Sequence, residues 1–199
     1  MENTEPIFKA VFGEQWESLP PVLQNHYSIA PYSEEQALAE GALDVWCHWL
    51  VKPFFWILRS IPPYSEKHVH VTVRFASEPH SAAFCFNRVF HFTDRKPVHF
   101  RSKMLHEGMG HMKEKMRWGI CWHSHFRWDG TRIIMQHAGY SLQWGKLSIP
   151  MPVSWLIGRS DAEEIAVDNT HFDMRVGITH PLFGKIYSYK GRFAMKGKP

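Results

Sequence analysis

A His-x-His pair lies in the middle of the chain, inside the aromatic-rich segment GICWHSHFRWDG of residues 119–130. Side chains two positions apart share one face of a β-strand, so His123 and His125 would project together if this segment is extended. Two imidazoles on one face can begin a metal site, but such a site needs three or more converging ligands. The pair therefore raises metal chemistry as one hypothesis to be weighed against ordinary polar strand residues.

Two interpretations of the histidine pair stay open. In the metal interpretation, Gly119, the two histidines and Asp129 resemble the first half of a cupin metal motif, with Asp in the place of Glu. No second half with a third histidine follows, and the neighbouring lysines and arginines of residues 113–117 would repel a metal ion. In the other interpretation, the histidines belong to a basic and solvated outer strand face. We favour the second interpretation and expect neither a metal ion nor a cofactor.

Two charged residues occur where the pattern leads us to expect apolar side chains. Arg88 shares a predicted strand face with the phenylalanines of residues 84–92, and Glu114 lies among the apolar residues of segment 112–118. A single buried charge is very unfavourable, so buried charges are paired. We predict that Arg88 contacts either Glu114 or the anionic group of a ligand, which its planar fork of donors suits. A bulge that returns Arg88 to solvent is the third alternative.

The bulk composition indicates one folded domain. The chain has 199 residues, of which 44% are apolar and 21% are charged, with a net charge of +4. The predicted aromatic and cationic faces are opposite to each other, which argues against nucleic-acid binding. Three scattered cysteines without a CxxC motif, and an N-terminus without a signal-like apolar run, favour a cytoplasmic protein. No G-x-S-x-G, P-loop or G-x-G-x-x-G motif is present, and we favour a function without catalysis.

The periodicity changes along the chain. Residues 1–63 are predicted to be mainly helical, and the apolar segment 42–61 is predicted to be an amphipathic helix pair bent at Pro53. The charges of that segment argue against a membrane span, and it is expected to be a core helix, a lid or a membrane-surface contact. The segment from Gly145 to Asp161 is predicted to be a long loop over one mouth of the sheet.

Residues 64–199 alternate between apolar and polar types and are predicted to form antiparallel strands. About eight or nine strands with short connections tend to curl or close, because open sheet edges are a liability. The predicted fold class is therefore α+β, with N-terminal helices followed by a strongly curved antiparallel β-sheet or β-barrel. The aromatic side of the strands is expected to face inward and the His, Lys and Arg side outward.

Several strings occur in an order typical of one family. They are LPPVLQNHY, FNRVF, HFRSKM, EGMGHMKEKMRWG, LSIPMP and FDMRVGITHPLFGKIYSYKGRF. Over nearly its whole length the chain resembles the domain-of-unknown-function family 4166. The resemblance implies a bacterial protein that stands alone or accompanies a reductase domain similar to saccharopine dehydrogenase. It implies an identity without an activity.

The family pattern falls on particular positions of this sequence. These are Arg88, Phe90, Arg101, Ser102, Glu114, Pro150, Pro152, His180, Pro181, Gly184, Tyr189, Gly191 and Phe193. The chain departs from the pattern at Phe86, where members usually have Trp, and at Trp118-Gly119, where they often have Gly-Pro. The pattern includes the same Arg88 and Glu114 that interrupt the apolar faces, and it does not include His123 or His125.

These observations predict a small binding domain that holds a hydrophobic or lipid-like anionic ligand inside the curved sheet. The predicted ligand-binding residues are Arg88, Glu114, Phe90, Arg101, Ser102 and Tyr189. Two alternatives stay open. One is a metal-dependent enzyme that uses the strand histidines. The other is an accessory module that docks on a reductase-like partner or a membrane surface through Trp46, Trp49, Phe54, Phe55 and Trp56.

Overall fold

The alternating sequence after Pro63 forms long antiparallel strands in the computed structural model, which describes residues 5–59 and 61–196. In those residues the α-helices are α1 (Ile7–Phe12), α2 (Pro21–Tyr27), α3 (Lys52–Leu58) and α4 (Ser154–Ile157). Short 3-10 helices cover Gly13–Ser18, Trp49–Val51 and Arg117–Gly119. The strands are β1 (Gln36–Cys47), β2 (Glu66–Glu78), β3 (Ser81–His91), β4 (Val98–Gly108), β5 (His111–Lys115), β6 (Ile120–Trp128), β7 (Ile133–Trp144), β8 (Leu147–Met151), β9 (Arg159–Ala166), β10 (His171–His180) and β11 (Gly184–Met195).

Ten of these strands close into an antiparallel barrel. The hydrogen-bonded order is β6-β5-β4-β3-β2-β1-β11-β10-β9-β7, and the pairing of β6 with β7 closes the ring. Strand β7 pairs with β9 through Ile133–Met135 and with β8 through Tyr140–Trp144, so β8 is a hairpin extension outside the ring. The predicted helices followed by a curved antiparallel sheet or barrel are confirmed. The predicted number of eight or nine strands is slightly low.

Two predicted segments differ from the structure. Strand β1 lies within the region predicted to be helical, and only α3 of the predicted helix pair is present in that part of the chain. Side chains at 37, 39, 43, 45 and 47 are buried, which is a strand period, but Leu38, Ala42 and Trp46 on the other face obscured it. The predicted loop of residues 145–161 contains β8, α4 and the start of β9.

The barrel interior is built from the aromatic side of the strands, as predicted. Phe84 and Trp122 are 2% and 6% exposed, and the side chains at alternate positions, such as Arg101 and His125, lie on the outer face. This arrangement follows from the two-residue period of a strand, which sends neighbouring side chains to opposite faces. The interior therefore combines a dense aromatic core with the few polar residues that share its strand faces.

The N-terminal helices close one end of the barrel, which we call the closed end. Phe8 of α1 packs its ring 5.2 Å from Phe84 and 5.6 Å from Phe126, and Tyr27 of α2 lies 4.2 Å from Phe8 between ring centroids. Helices α3 and α4 lie at the other end, which we call the open end. None of the helices in the described residues is long and apolar enough to cross a membrane.

Candidate ligand-binding cavity

A cavity of about 420 Å³ occupies the barrel interior between the N-terminal helices of the closed end and the open end. Its wall is mainly apolar and includes Phe55, Phe86, Phe100, Met104, Met116, Ile120, Trp122, Met135, Leu142, Met151, Met174, Val176 and Ile178. Phe54, Trp118 and Leu156 also line it and are exposed, so the cavity reaches the surface at the open end. Its volume lies within the range of small-molecule pockets, about 300–1,000 Å³.

Arg88 and Glu114 form a buried ion pair at the cavity wall. Nη1 and Nη2 of Arg88 donate to Oε1 of Glu114 at 3.2 and 3.3 Å, and Nη1 also donates to Oγ of Ser102 at 3.0 Å. Ser102 in turn donates a short hydrogen bond to the same carboxylate oxygen. The guanidinium lies over the rings of Phe86 and Phe100, 4.3 and 4.7 Å from their centroids. The predicted contact between Arg88 and Glu114 is therefore present.

Strand register explains why these three side chains meet. Arg88, Ser102 and Glu114 come from the neighbouring strands β3, β4 and β5. In the antiparallel ladders, Arg88 lies opposite Phe100, and Glu114 lies opposite Met104, so Ser102 is between them on the central strand. All three side chains lie on the inner face of the sheet, where long side chains can reach their diagonal neighbours on adjacent strands.

A second polar cluster lies on the opposite wall. Tyr27 donates from Oη to Oε2 of Glu164 at 2.8 Å, and Nδ1 of His26 lies 3.4 Å from the same oxygen. The His26 contact is within ion-pair distance but lacks hydrogen-bond geometry, and neither ring nitrogen has a hydrogen-bond partner among the described residues. Burial, followed by the charge and hydrogen bond of Glu164, holds the pKa of Tyr27 well above its usual value.

Two further tyrosines face the cavity from β11. Burial raises the pKa of Tyr189 to about 12 and raises that of Tyr187 well above its usual value, because a phenolate is poorly solvated there. Tyr187 is 1% exposed, and its hydroxyl has no hydrogen-bond partner among the described residues. A buried hydroxyl without a partner is uncommon and costs about 1–3 kcal/mol. Tyr187 is thus a lining residue of the apolar cavity, and its hydroxyl, which is enclosed by its neighbours, is an unused donor.

The structure brings together most, but not all, of the predicted ligand-binding residues. Arg88, Glu114 and Tyr189 line the cavity, and Ser102 is buried directly behind the ion pair. Phe90 is fully buried against Tyr189, with ring centroids 6.2 Å apart, and does not line the main cavity. Arg101 lies on the outer face, because it is one position away from the inward Ser102. It is therefore separate from the cavity, and a ligand-binding role for the others stays a prediction.

The histidine pair lies on the outer side of β6. Nδ1 of His123 is 2.8 Å from Glu107, Nε2 is 2.7 Å from Ser141, and the exposed His125 ring lies 3.6 Å from that of His111 between centroids. These contacts match the favoured interpretation, in which the histidines are polar residues of an outer face. In residues 5–59 and 61–196, no three His, Cys, Asp or Glu side chains are grouped so that they could hold a metal ion.

Sequence reasoning missed several polar residues of the cavity. Glu164 is 1% exposed and lies between the inward positions Ala162 and Ala166 of β9, the same kind of interruption that identified Arg88. That signal was available, but β9 was not predicted as a strand. His26 and Tyr27 gave no comparable signal, because a short helix places them in the barrel only through tertiary packing.

Comparison with known proteins identifies the family but not a function. The model of the family described as "Domain of unknown function (DUF4166)" matches residues 19–193. The comparison with curated proteins finds no match. The family match covers every strand of the barrel and both polar clusters, and it extends to Phe193 in the last strand. This chain belongs to the DUF4166 family.

Proposed function

We propose that the barrel binds one mainly apolar small molecule with a polar end group that accepts a hydrogen bond. The observation that carries this proposal is the apolar cavity of about 420 Å³. Tyr187 is one of its lining residues, and the buried hydroxyl of that tyrosine has no hydrogen-bond partner among the described residues. Such pockets typically combine hydrophobic walls with a few fixed polar groups that orient the ligand. The modest volume favours a compact or single-chain molecule.

The charges of the cavity favour an uncharged ligand over the anionic ligand that the sequence suggested. Arg88 is the one Lys or Arg among the described lining residues, and Glu114 already pairs with it. Glu164 adds a second buried carboxyl group. An additional anion would therefore enter an interior whose carboxyl groups outnumber its guanidinium, without a free cation to compensate it.

Cavity filling tests whether binding takes place inside the barrel. Ala162 lines the cavity, whereas Ala138 on the adjacent strand β7 is exposed. The uncharged fluorescent probe N-phenylnaphthylamine should bind the unaltered protein with a one-to-one stoichiometry. Ala162→Phe should weaken this binding by on the order of tenfold or more, and Ala138→Phe should leave it unchanged. Absence of probe binding, or equal binding by both folded variants, would overturn the proposal.

A matched ligand pair tests the role of Tyr187. Acetonaphthone and ethylnaphthalene have similar shapes, but only the ketone accepts a hydrogen bond. Tyr187→Phe should weaken acetonaphthone binding by roughly three- to tenfold, the value of one net hydrogen bond, and leave ethylnaphthalene unchanged. Calorimetric titration measures both. An equal loss for the two ligands would show that Tyr187 contributes shape alone and would remove the proposed polar contact.

A further inference from the structure

The open end of the barrel carries nearly all exposed large apolar side chains of the described residues. Apart from Tyr32, Met109 and Val167, they all lie in residues 46–57, at Trp118, in residues 144–156 and at 182–183. The most exposed tryptophans of this set, Trp49, Trp144 and Trp155, are 71%, 77% and 68% accessible. An apolar surface of this extent on one end of a protein marks an interaction site.

Contacts between the connections show that these segments form one continuous rim, which we call the open-end rim. The indole of Trp118 donates to the carbonyl of Leu58 at 2.9 Å, which joins the β5–β6 turn to α3. Gly119 approaches the carbonyl of Gln143 so closely that a Cβ would overlap it, which joins the same turn to the end of β7. The amide of His48 donates to Ile186 at 2.9 Å, which joins the end of β1 to the β10–β11 hairpin.

Helix α4 completes the rim. Gly158 follows its last residue, and an added Cβ there would lie 2.9 Å from the carbonyl of Thr179 at the end of β10. Leu156 of α4 and Phe54 of α3 both line the mouth of the cavity. The exposed aromatic residues of four chain segments therefore lie around the open end, where the cavity reaches the surface, although they are far apart in the sequence.

The open-end rim is also strongly basic. Residues 46–59, 115–120, 142–159 and 178–187 contain no Asp or Glu, and they carry Lys or Arg at 52, 59, 115, 117, 146, 159 and 185. At the same end, the β3–β4 connection adds Asp94 beside Arg95 and Lys96, and the start of β2 adds Glu66 beside Lys67. At the closed end, the helices and turns carry acidic residues at 5, 14, 17, 34, 35, 129 and 168 and basic residues at 9, 132 and 196. The charge distribution thus gives the barrel a positive apolar end and a more acidic opposite end.

We propose that the open-end rim docks on a bilayer surface that contains anionic lipids. Tryptophan side chains favour the interfacial region of a bilayer, and Lys or Arg near an anionic leaflet contributes attraction that salt weakens. A protein partner of ordinary composition would not require both properties around an apolar mouth. In this orientation the cavity opens toward the bilayer, which gives an apolar molecule a path that avoids water. The docking goes beyond ligand binding and does not depend on it.

Flotation with the whole chain tests the docking. Vesicles of phosphatidylcholine alone are compared with vesicles in which half of the lipid is phosphatidylserine, at low and at raised salt. The protein should float with the anionic vesicles, its tryptophan emission should shift to shorter wavelength, and raised salt should release much of it. No flotation with anionic vesicles at low salt, or equal flotation with neutral vesicles, would overturn the proposal.

Matched variants at the two ends make this experiment specific. Lys146→Glu with Lys185→Glu should weaken binding by on the order of tenfold or more, and Trp56→Ser with Trp155→Ser should do the same. The controls are Lys196→Glu and Met109→Ser at the closed end, which should leave binding unchanged. Equal losses at both ends would contradict the orientation. If vesicles do not bind and the rim variants instead abolish self-association or binding to a reductase-like protein, the rim is a protein interface.

Discussion

One carboxylate oxygen of Glu114 accepts hydrogen bonds from both terminal nitrogens of Arg88, and Ser102 donates to that same oxygen. The side chains of the ion pair are each 7% exposed, so the pair is removed from water on all sides except the cavity. Its desolvation is offset by the hydrogen bond from Ser102 and by the rings of Phe86 and Phe100. Removing either partner would leave the other charge buried without compensation.

We therefore expect Arg88→Met and Glu114→Gln each to lower the free energy of unfolding by about 3–5 kcal/mol. The exposed ion pair between Lys103 and Glu78 provides the control, and Lys103→Met should cost no more than about 1 kcal/mol. Urea unfolding of the three variants measures the difference. The double variant should be less destabilised than the sum of its parts, because the two residues interact. Equal unfolding midpoints for all three single variants would contradict a stabilising role of the buried pair.

Close packing of β11 against β1 explains why glycine occupies position 191, in the segment from Tyr189 to Phe193. A Cβ on Gly191 of β11 would overlap the carbonyl oxygen of Ala42 on β1, whereas a Cβ on Gly177 of the adjacent β10 would meet nothing within 4 Å. Gly191→Ala should therefore destabilise the barrel by about 1–3 kcal/mol, and Gly177→Ala should be neutral or slightly stabilising. Thermal unfolding of the two variants distinguishes them, and a neutral Gly191→Ala would show that β1 and β11 adjust freely.

The buried tyrosines predict a loss of stability at alkaline pH. Burial raises the pKa values of Tyr27, Tyr140, Tyr187 and Tyr189, that of Tyr140 to about 12. In the unfolded chain tyrosine ionises near pH 10, so above that pH the unfolded state releases protons that the folded state retains. The contribution of these tyrosines to the free energy of unfolding is fully present below about pH 10. It falls as the pH rises toward about 12, by roughly 1.4 kcal/mol per pH unit for each tyrosine.

Urea unfolding followed at several pH values measures that slope, and near-ultraviolet absorbance reports phenolate formation. Tyr187→Phe removes one of these four buried tyrosine hydroxyls without removing a hydrogen bond seen among the described residues. The free energy of unfolding of this variant should therefore fall less steeply with pH, by the contribution of one tyrosine. Phenolate absorbance of the buried tyrosines that develops well before unfolding would contradict their enclosure.

His137 predicts a second loss of stability, at acid pH. Burial and the nearby charge of Arg159 lower the pKa of His137. Trp122 donates from Nε1 to Nδ1 of this ring at 3.1 Å, so the neutral ring carries its hydrogen on Nε2, which is 2.9 Å from Oγ of Ser154 at the start of α4. A proton on Nδ1 would oppose the Trp122 donor. The folded state therefore binds this proton less readily than the unfolded state does.

The contribution of neutral His137 to the free energy of unfolding is fully present above the pKa of histidine in the unfolded chain, near 6.5. It is lost as the pH falls below that value. His137→Gln removes the titration, so the variant should lose less stability than the unaltered protein when the pH is lowered to about 5. Chemical unfolding of both proteins, above pH 6.5 and at about pH 5, measures this difference. Identical acid losses in the two proteins would assign the pH dependence to other groups.

The sequence alone determined the architecture and one part of the cavity. A two-residue period with consistently apolar positions places Phe84 and Trp122 inside, because a strand cannot turn one side chain without turning its neighbours. The same rule identified Arg88 and Glu114 as inward charges, and burial of a charge requires a partner. Those inferences needed only local geometry and the cost of desolvation.

Tertiary structure decided the rest. The outer face of strand β1 mixes apolar with polar side chains, so its local pattern is ambiguous, and its pairing with β2 and β11 identifies it as a strand. Glu164, Tyr27 and Tyr187 come from three distant segments and line the same cavity because the barrel closes, and no local pattern records that closure. The path of the whole chain likewise decides how much of the barrel interior stays unfilled. It also brings tryptophans and cations from four connections together at one rim. Contacts between residues far apart in sequence determine these features, whereas periodicity reports only what lies along one strand.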